Sequence, residues 1–187
     1  QNKEFANGIA KIWQCLHTPS ELQAYIDIIR QLNPQAVLGF YPGSGRIAQA
    51  FLRKQDKGFL FELHRREFHQ LKQALPQPSR FSAECRDGLA ALRGLLPPIQ
   101  RRGLILIDPA YERDDEPERL CQALHAAYAK FPQGIYMLWY PLLTRARPGF
   151  LQASLLQSSM NKLLHIQLAV DDPVLPGLQA SGLWIVN

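Results

Sequence analysis

The stretch Arg102-Gly103-Leu104-Ile105-Leu106-Ile107-Asp108-Pro109-Ala110-Tyr111 restricts the possible folds of this chain more than any other. Four consecutive aliphatics, Leu104 to Ile107, predict a strand buried on both faces, of the kind found in the middle of a parallel sheet. The run ends on Asp108, which delivers a carboxylate to the carboxyl edge of that sheet. Open α/β folds hold their ligands at that edge. Pro109 lacks an N–H and stops the ladder, and Tyr111 sets a flat ring three residues after the acid. The same residues also fit a plain strand and turn in which Asp108 caps the next element, so the rest of the chain has to decide.

Apolar residues at Phe5, Ile9, Ile12, Trp13 and Leu16 give residues 5–17 a helical stripe. Thr18-Pro19-Ser20-Glu21 predicts a helix start, with a Thr cap, Pro in the first turn and Glu three residues after the cap. That helix runs through Leu22, Tyr25, Ile26, Ile29 and Leu32 and stops at Asn33-Pro34. Two helices without an intervening strand predict a small helical subdomain. Gly43-Ser44-Gly45-Arg46-Ile47-Ala48 then matches a G-x-G-x-x-A nucleotide-binding loop, and equally fits a tight turn in which Ser44 caps the following helix.

From there strands and helices alternate. A strand over Gly58–Leu63 carries Glu62 near its end, where a ribose-binding acid belongs. A helix over Glu67–Leu75 is broken by Pro76-Gln77-Pro78. A strand over Arg80–Cys85 leads to Asp87-Gly88, and a short helix covers Leu89–Leu96. After Asp108 a helix is expected over 116–131, a strand over Gly134–Pro141, a helix over 150–160, and strands over Leu163–Val170 and Gly182–Val186. This βαβ alternation predicts a parallel sheet with crossover helices. Glu62, Asp87 and Asp108 close three successive strands, and three caps in a row on one sheet edge would be a coincidence.

Composition narrows the class. At 187 residues, 47% hydrophobic and 20% charged, the chain suits one α/β domain or one domain with an insertion. No window has the apolar length of a membrane span. Three scattered cysteines, Cys15, Cys85 and Cys121, fit a reducing cytoplasm, and the five histidines form no H-x-x-x-H pair that would suggest a metal. A net charge of +5 permits a polyanionic partner without demanding one. Arg101, Arg102, Arg145 and Arg147 flank two of the strands and are candidates for holding phosphates. The chain begins at Gln1 without a methionine and is read as an interior piece of a longer protein.

An acid, a proline and an aromatic after a strand resemble the signature of amino-group methyltransferases, usually Asp/Asn-Pro-Pro-Tyr/Phe/Trp. The matching segments go further. They are Gly8-Ile9-Ala10-Lys11-Ile12-Trp13, Tyr41-Pro42-Gly43-Ser44, Glu62-Leu63-His64, Asp87-Gly88 and Arg101 to Pro109. Gly134-Ile135-Tyr136, Leu138-Trp139-Tyr140-Pro141 and Ala180-Ser181-Gly182 complete the set. From about residue 5 to 187 the chain resembles the bacterial ribosomal RNA large subunit methyltransferase J family, which methylates N6 of an adenine in 23S ribosomal RNA.

The resemblance implies a Rossmann-like sheet that uses S-adenosylmethionine, and a cytoplasmic monomer acting on rRNA before or during ribosome assembly. It implies a helical insertion over 1–40 and a methyltransferase core over 41–187. The family's first strand, its principal glycine loop and its N-terminal cofactor-binding segment would lie upstream, so this piece alone is expected to bind cofactor poorly. Gly43-Ser44-Gly45 is then not the principal glycine loop, although Ser44 matches a cofactor contact at a helix N-terminus. Glu62 matches the ribose-binding acid, Asp87-Gly88 the adenine-binding pair, and Asp108 both the catalytic residue and a cofactor contact. Pro109 would offer its carbonyl to the target amine, and Tyr111 would stack on the flipped base. Three positions depart from the family pattern: Ala110 replaces the usual second proline, Gly45 replaces a frequent proline, and Arg65-Arg66 stands where a proline is more usual. DNA adenine, a glutamine side chain, or a non-catalytic RNA-binding role are the alternatives to an rRNA adenine.

Overall fold

The computed structural model describes residues 8–13, 18–35, 37–75, 80–143, 146–169 and 180–187. Phe5, Cys15, Leu16, the Pro76-Gln77-Pro78 breaker and Arg145 therefore lie outside the described residues. The chain divides into two units, Gln1–Gly88 and Leu89–Asn187.

In the first unit, helices α1 (Ile9–Trp13) and α2 (Ser20–Leu32) bring Ile9, Ile26 and Ile29 into one cluster, with Trp13, Tyr25 and Leu38 packed against it. Thr18 is not the cap of α2. Pro19 holds that position, no side chain caps the helix, and Ser20 Oγ donates to Glu21 Oε2 instead. At the other end the buried Asn33 fastens the chain that follows. Its amide donates to Ile29 O and Phe40 O and accepts from the N–H groups of Gly39 and Phe40, each at 2.8 Å. Four bonds exhaust what a carboxamide can make. The chain then enters α3 (Ser44–Phe51), β1 (Gly58–Phe61), α4 (Arg65–Ala74) and β2 (Phe81–Glu84). Strands β1 and β2 pair in parallel, from Gly58↔Phe81 to Phe61↔Glu84. A Cβ at Gly58 would collide with the Phe81 ring, so that pairing needs a glycine.

Helix α5 (Gly88–Leu95) opens on the last residue of the first unit. The second unit contains β3 (Leu104–Ile107), α6 (Glu116–Lys130), β4 (Ile135–Pro141), α7 (Pro148–Leu156), β5 (Leu163–Ala169) and β6 (Ala180–Val186). Its sheet order is β3-β4-β6-β5; β3 and β4 are parallel, whereas β6 runs antiparallel to both its neighbours. The parallel pairing expected of the alternating elements holds for β1-β2 and β3-β4, and the antiparallel direction of β6 is an addition to it. Only residues 170–179 separate β5 from β6, fewer than the dozen or more that a parallel crossover needs. The expectation for β3 is corrected. Leu104 and Leu106 are 61% and 43% exposed while Ile107, on the opposite face, is buried, so only one face of β3 is covered.

The core of this unit joins α6, α7 and one sheet face: Leu120, Leu124, Leu138, Leu151, Leu155, Trp184 and Val186 are buried there. Each buried leucine stabilises the unit by roughly 1.5–3 kcal/mol. Three tyrosines lie in the same core. Tyr136 shares its hydroxyl between Ala127 O and Phe131 O, and Tyr140 bonds His165 Nε2 at 2.7 Å. No helix among the described residues is long and apolar enough to cross a membrane.

Candidate active site

The first unit assembles a polar edge at the carboxyl ends of β1 and β2. Glu62 N donates to Glu84 O at 3.2 Å, which continues the parallel ladder one residue past β1. Glu62 Oε1 accepts the N–H of His64 at 2.8 Å, which turns its carboxylate toward the start of α4. Its Oε2 has no partner among the described residues and remains an open acceptor. Asp87 and Gly88 follow β2 at the same edge, and a Cβ at Gly88 would come within 3.1 Å of Phe61 Cβ. The backbone at Gly88 therefore closes on the end of β1.

Ser44 is the first residue of α3 and is exposed, behind Gly43 at the cap position. No side chain caps the helix, so the reading of Ser44 as its cap is corrected. The helical ladder begins with the N–H groups of Arg46 and Ile47 on Gly43 O, leaving those of Ser44 and Gly45 ahead of it. A Cβ at Gly45 would meet Leu60 Cδ1 at 3.3 Å, so this turn lies against β1. The structure thus brings Ser44, Glu62, Asp87 and Gly88 into one neighbourhood. Free backbone N–H groups at a helix start suit a carboxylate, and an oriented acid at a strand end suits hydroxyls.

The second unit holds the other group. Asp108 stands one residue past β3, exposed, and its carboxylate has no hydrogen-bond or ion-pair partner among the described residues. It caps nothing: the next helix begins at Glu116 behind Asp115. The protein around the carboxyl still displaces enough water to raise its pKa above the ordinary carboxylate value. The carbonyl of Pro109 is likewise without a partner among the described residues. Two adjacent acceptors are therefore open at the end of one strand.

Tyr111 departs from expectation. Its backbone is left-handed, with φ 52°, and its ring is 1% exposed among the core side chains. Its hydroxyl donates to Trp139 O at 2.8 Å. Burial first, and then the nearby Asp108 and Glu116 charges, hold its pKa well above the usual tyrosine value. A ring enclosed in this way offers no face to a base, and the expected stacking role is corrected.

The basic residues separate too. Arg147, though exposed, pairs with Glu118 and lies over the Phe150 ring at 4.5 Å, so the protein's own side chains engage it. Arg102 lines a cleft of about 640 Å³ at the amino ends of β3 and β4, with Lys162, Tyr128, Gln133 and Asn161. No carboxylate side chain lines it. Lys162 has no role in the sequence reading, and Trp139 is marked there only as part of a matching segment, with no role of its own. Trp139 acts through its carbonyl, which leaves no signal in residue type, and a lone lysine before a strand reads as ordinary surface.

Parallel strands crossed by helices, acids at their carboxyl ends and one antiparallel strand inside the sheet make this a Rossmann-like methyltransferase fold. A putative rRNA-methylase of Clostridium thermocellum shares the fold at a TM-score of 0.54 and 12% identity, over 77% of this chain and 79% of that one. The chain belongs to the family described as ribosomal RNA large subunit methyltransferase D, RlmJ, whose profile matches residues 1–187. It is 40% identical to the ribosomal RNA large subunit methyltransferase J of Escherichia coli over 185 residues, and 33% identical to that of Haemophilus influenzae over 186. The matches cover 98% of the chain and 66% of each relative, so the chain spans about two thirds of their length. The crystal structure of a Legionella pneumophila protein matches at a TM-score of 0.89 and 37% identity, covering 100% of this chain and 70% of that one.

Proposed function

We propose that this protein transfers a methyl group from S-adenosylmethionine to N6 of an adenine in 23S ribosomal RNA. The observation that carries the reading is the pair of open acceptors at the end of β3, the Asp108 carboxylate and the Pro109 carbonyl. An exocyclic amine is a poor nucleophile because its lone pair is delocalised into the ring. Two acceptors that hold its two N–H groups keep the lone pair on nitrogen and aim it. When bound, S-adenosylmethionine supplies an electrophilic methyl group on a positively charged sulfur. Asp108 and Pro109 orient the amine along the line of attack, so most of the acceleration is positioning. The surplus proton on nitrogen then leaves toward Asp108, whose raised pKa makes it a better acceptor than an ordinary surface carboxylate.

In the same proposal Glu62 holds the ribose hydroxyls, Asp87-Gly88 the adenine ring, and the α3 start at Ser44 the methionyl carboxylate. The open Oε2 of Glu62 and the unclaimed N–H groups ahead of the α3 ladder support this fit. Residues 1–40 act as an insertion into the core over 41–187. The protein works as a cytoplasmic monomer on rRNA before or during ribosome assembly.

The test is methyl incorporation from labelled S-adenosylmethionine by the full-length protein. Protein-free 23S rRNA is compared with duplex DNA and with a glutamine-containing protein substrate. Labelled N6-methyladenine in the rRNA alone is expected. Label confined to DNA or protein, or none at all, would overturn the reading.

A further inference from the structure

We propose that Tyr111 is a positioning residue: its hydroxyl tethers the Asp108 turn to β4 and takes the place of a ladder donor that Pro109 lacks. The inference rests on the proposed role of Asp108. It starts from the register of β3 on β4. Ile135 N donates to Gly103 O at 3.0 Å, and Leu104 pairs with Ile135. In a parallel ladder the bonds of one strand recur every second residue. Stepping from Ile135 by twos, the carbonyls of Ile135 and Met137 face the N–H groups of Ile105 and Ile107, and that of Trp139 faces the nitrogen of residue 109. Residue 109 is proline and has no N–H to give.

A backbone carbonyl in the middle of a sheet needs a partner. Trp139 O finds it in the Tyr111 hydroxyl, at 2.8 Å. The tyrosine reaches there because its backbone adopts φ 52°, a region disfavoured for a residue with a Cβ, and because its ring is buried. The turn is thereby closed into a loop. Asp108 leaves β3 level with Trp139, the chain runs through Pro109 and Ala110, and Tyr111 returns to Trp139 itself. Pro109 stiffens one link, whereas Ala110 stands where a second proline is usual and leaves its own link soft. The tether supplies restraint that Ala110 does not, and it acts on the two acceptors, Asp108 and Pro109, that lie inside the loop.

Stacking and tethering predict opposite behaviour for Tyr111→Phe, which keeps the ring face and loses only the hydroxyl. The experiment is single-turnover methylation of protein-free 23S rRNA by full-length protein, at saturating rRNA and cofactor, with both dissociation constants measured alongside. The tether predicts a fall of about tenfold or more in the transfer rate with both constants unchanged, as for a small misplacement of reacting groups. Adding Ala110→Pro to Tyr111→Phe stiffens the soft link and is expected to restore part of the rate. A Tyr111→Phe protein at the parental rate would overturn the tether, and so would a slow one that Ala110→Pro fails to improve. Asp108→Ala separates the two readings. If it methylates normally, the proposed reaction centre is wrong. If it is inactive while Tyr111→Phe is fully active, only the tether fails.

Discussion

Replacing Asp108 tests the centre of the proposed reaction, and the structure sets the expected size of the effect. The carboxylate makes no hydrogen bond or ion pair among the described residues and lies at an exposed strand end, so removing it deletes no polar contact among them. Stability should change by no more than about 0.5 kcal/mol, as for other surface substitutions. Its partner would be the target amine. A hydrogen bond to a charged acceptor contributes roughly 1.5–3 kcal/mol, and each 1.36 kcal/mol is about a factor of ten in rate. Asp108→Ala should therefore slow methyl transfer by about 10- to 150-fold or more. Asp108→Asn keeps a carbonyl acceptor of about half the strength, so its loss should be nearer tenfold.

The pH dependence adds a second signature. Desolvation raises the folded-state pKa of Asp108 above its unfolded value, which is about 3.9. The folded protein thus binds the proton more tightly. This group's contribution to stability is full below the unfolded pKa and is lost as pH rises through the folded pKa. Activity should move the other way across the same window, because the ionised form is the stronger acceptor. The assay is single-turnover methylation of rRNA against pH, with melting curves at each pH, for the parent and Asp108→Asn. Asp108→Asn should lose the acid limb and melt no lower than the parent at neutral pH. An unchanged acid limb in that variant, or a parental rate in Asp108→Ala, would refute the reasoning.

Glu62→Ala in the full-length protein should weaken S-adenosylmethionine binding at least about tenfold by calorimetry, since a charge-assisted bond to the ribose is lost; an unchanged dissociation constant would remove Glu62 from the site. Gly182→Ala should destabilise the protein by about 1–3 kcal/mol and lower its melting temperature by several degrees. The new Cβ meets the Tyr140 ring, whose hydroxyl is already held by His165 Nε2 and by Gln167 Nε2. Arg102→Ala combined with Lys162→Ala should lower RNA affinity and flatten the slope of log affinity against log salt by about 1.5–2, if both cations hold phosphates. An unchanged slope places the phosphate contacts elsewhere. Arg147→Ala should act on stability and not on that slope, because Arg147 is paired with Glu118.

Much of the candidate site was legible along the chain because its signals are local. An aliphatic run stopped by Asp108-Pro109 marks a strand end wherever the strand lies in the sheet. Glu62 and Asp87-Gly88 follow from the same punctuation of hydrophobic period by acid and glycine. The βαβ alternation follows from element lengths, which backbone geometry imposes residue by residue. Other properties depend on what packs beside a residue, and no local pattern carries that. The direction of β6 depends on which strands it inserts between, and the exposure of Leu104 and Leu106 on which face of β3 is covered. Arg147 looked like a free cation until the fold set Glu118 against it. Tyr111 is the sharpest case. An aromatic three residues after an acid looks the same whether its ring faces solvent or core. Its direction was decided by a β4 carbonyl, 28 residues further along, that faces a proline and needs a donor.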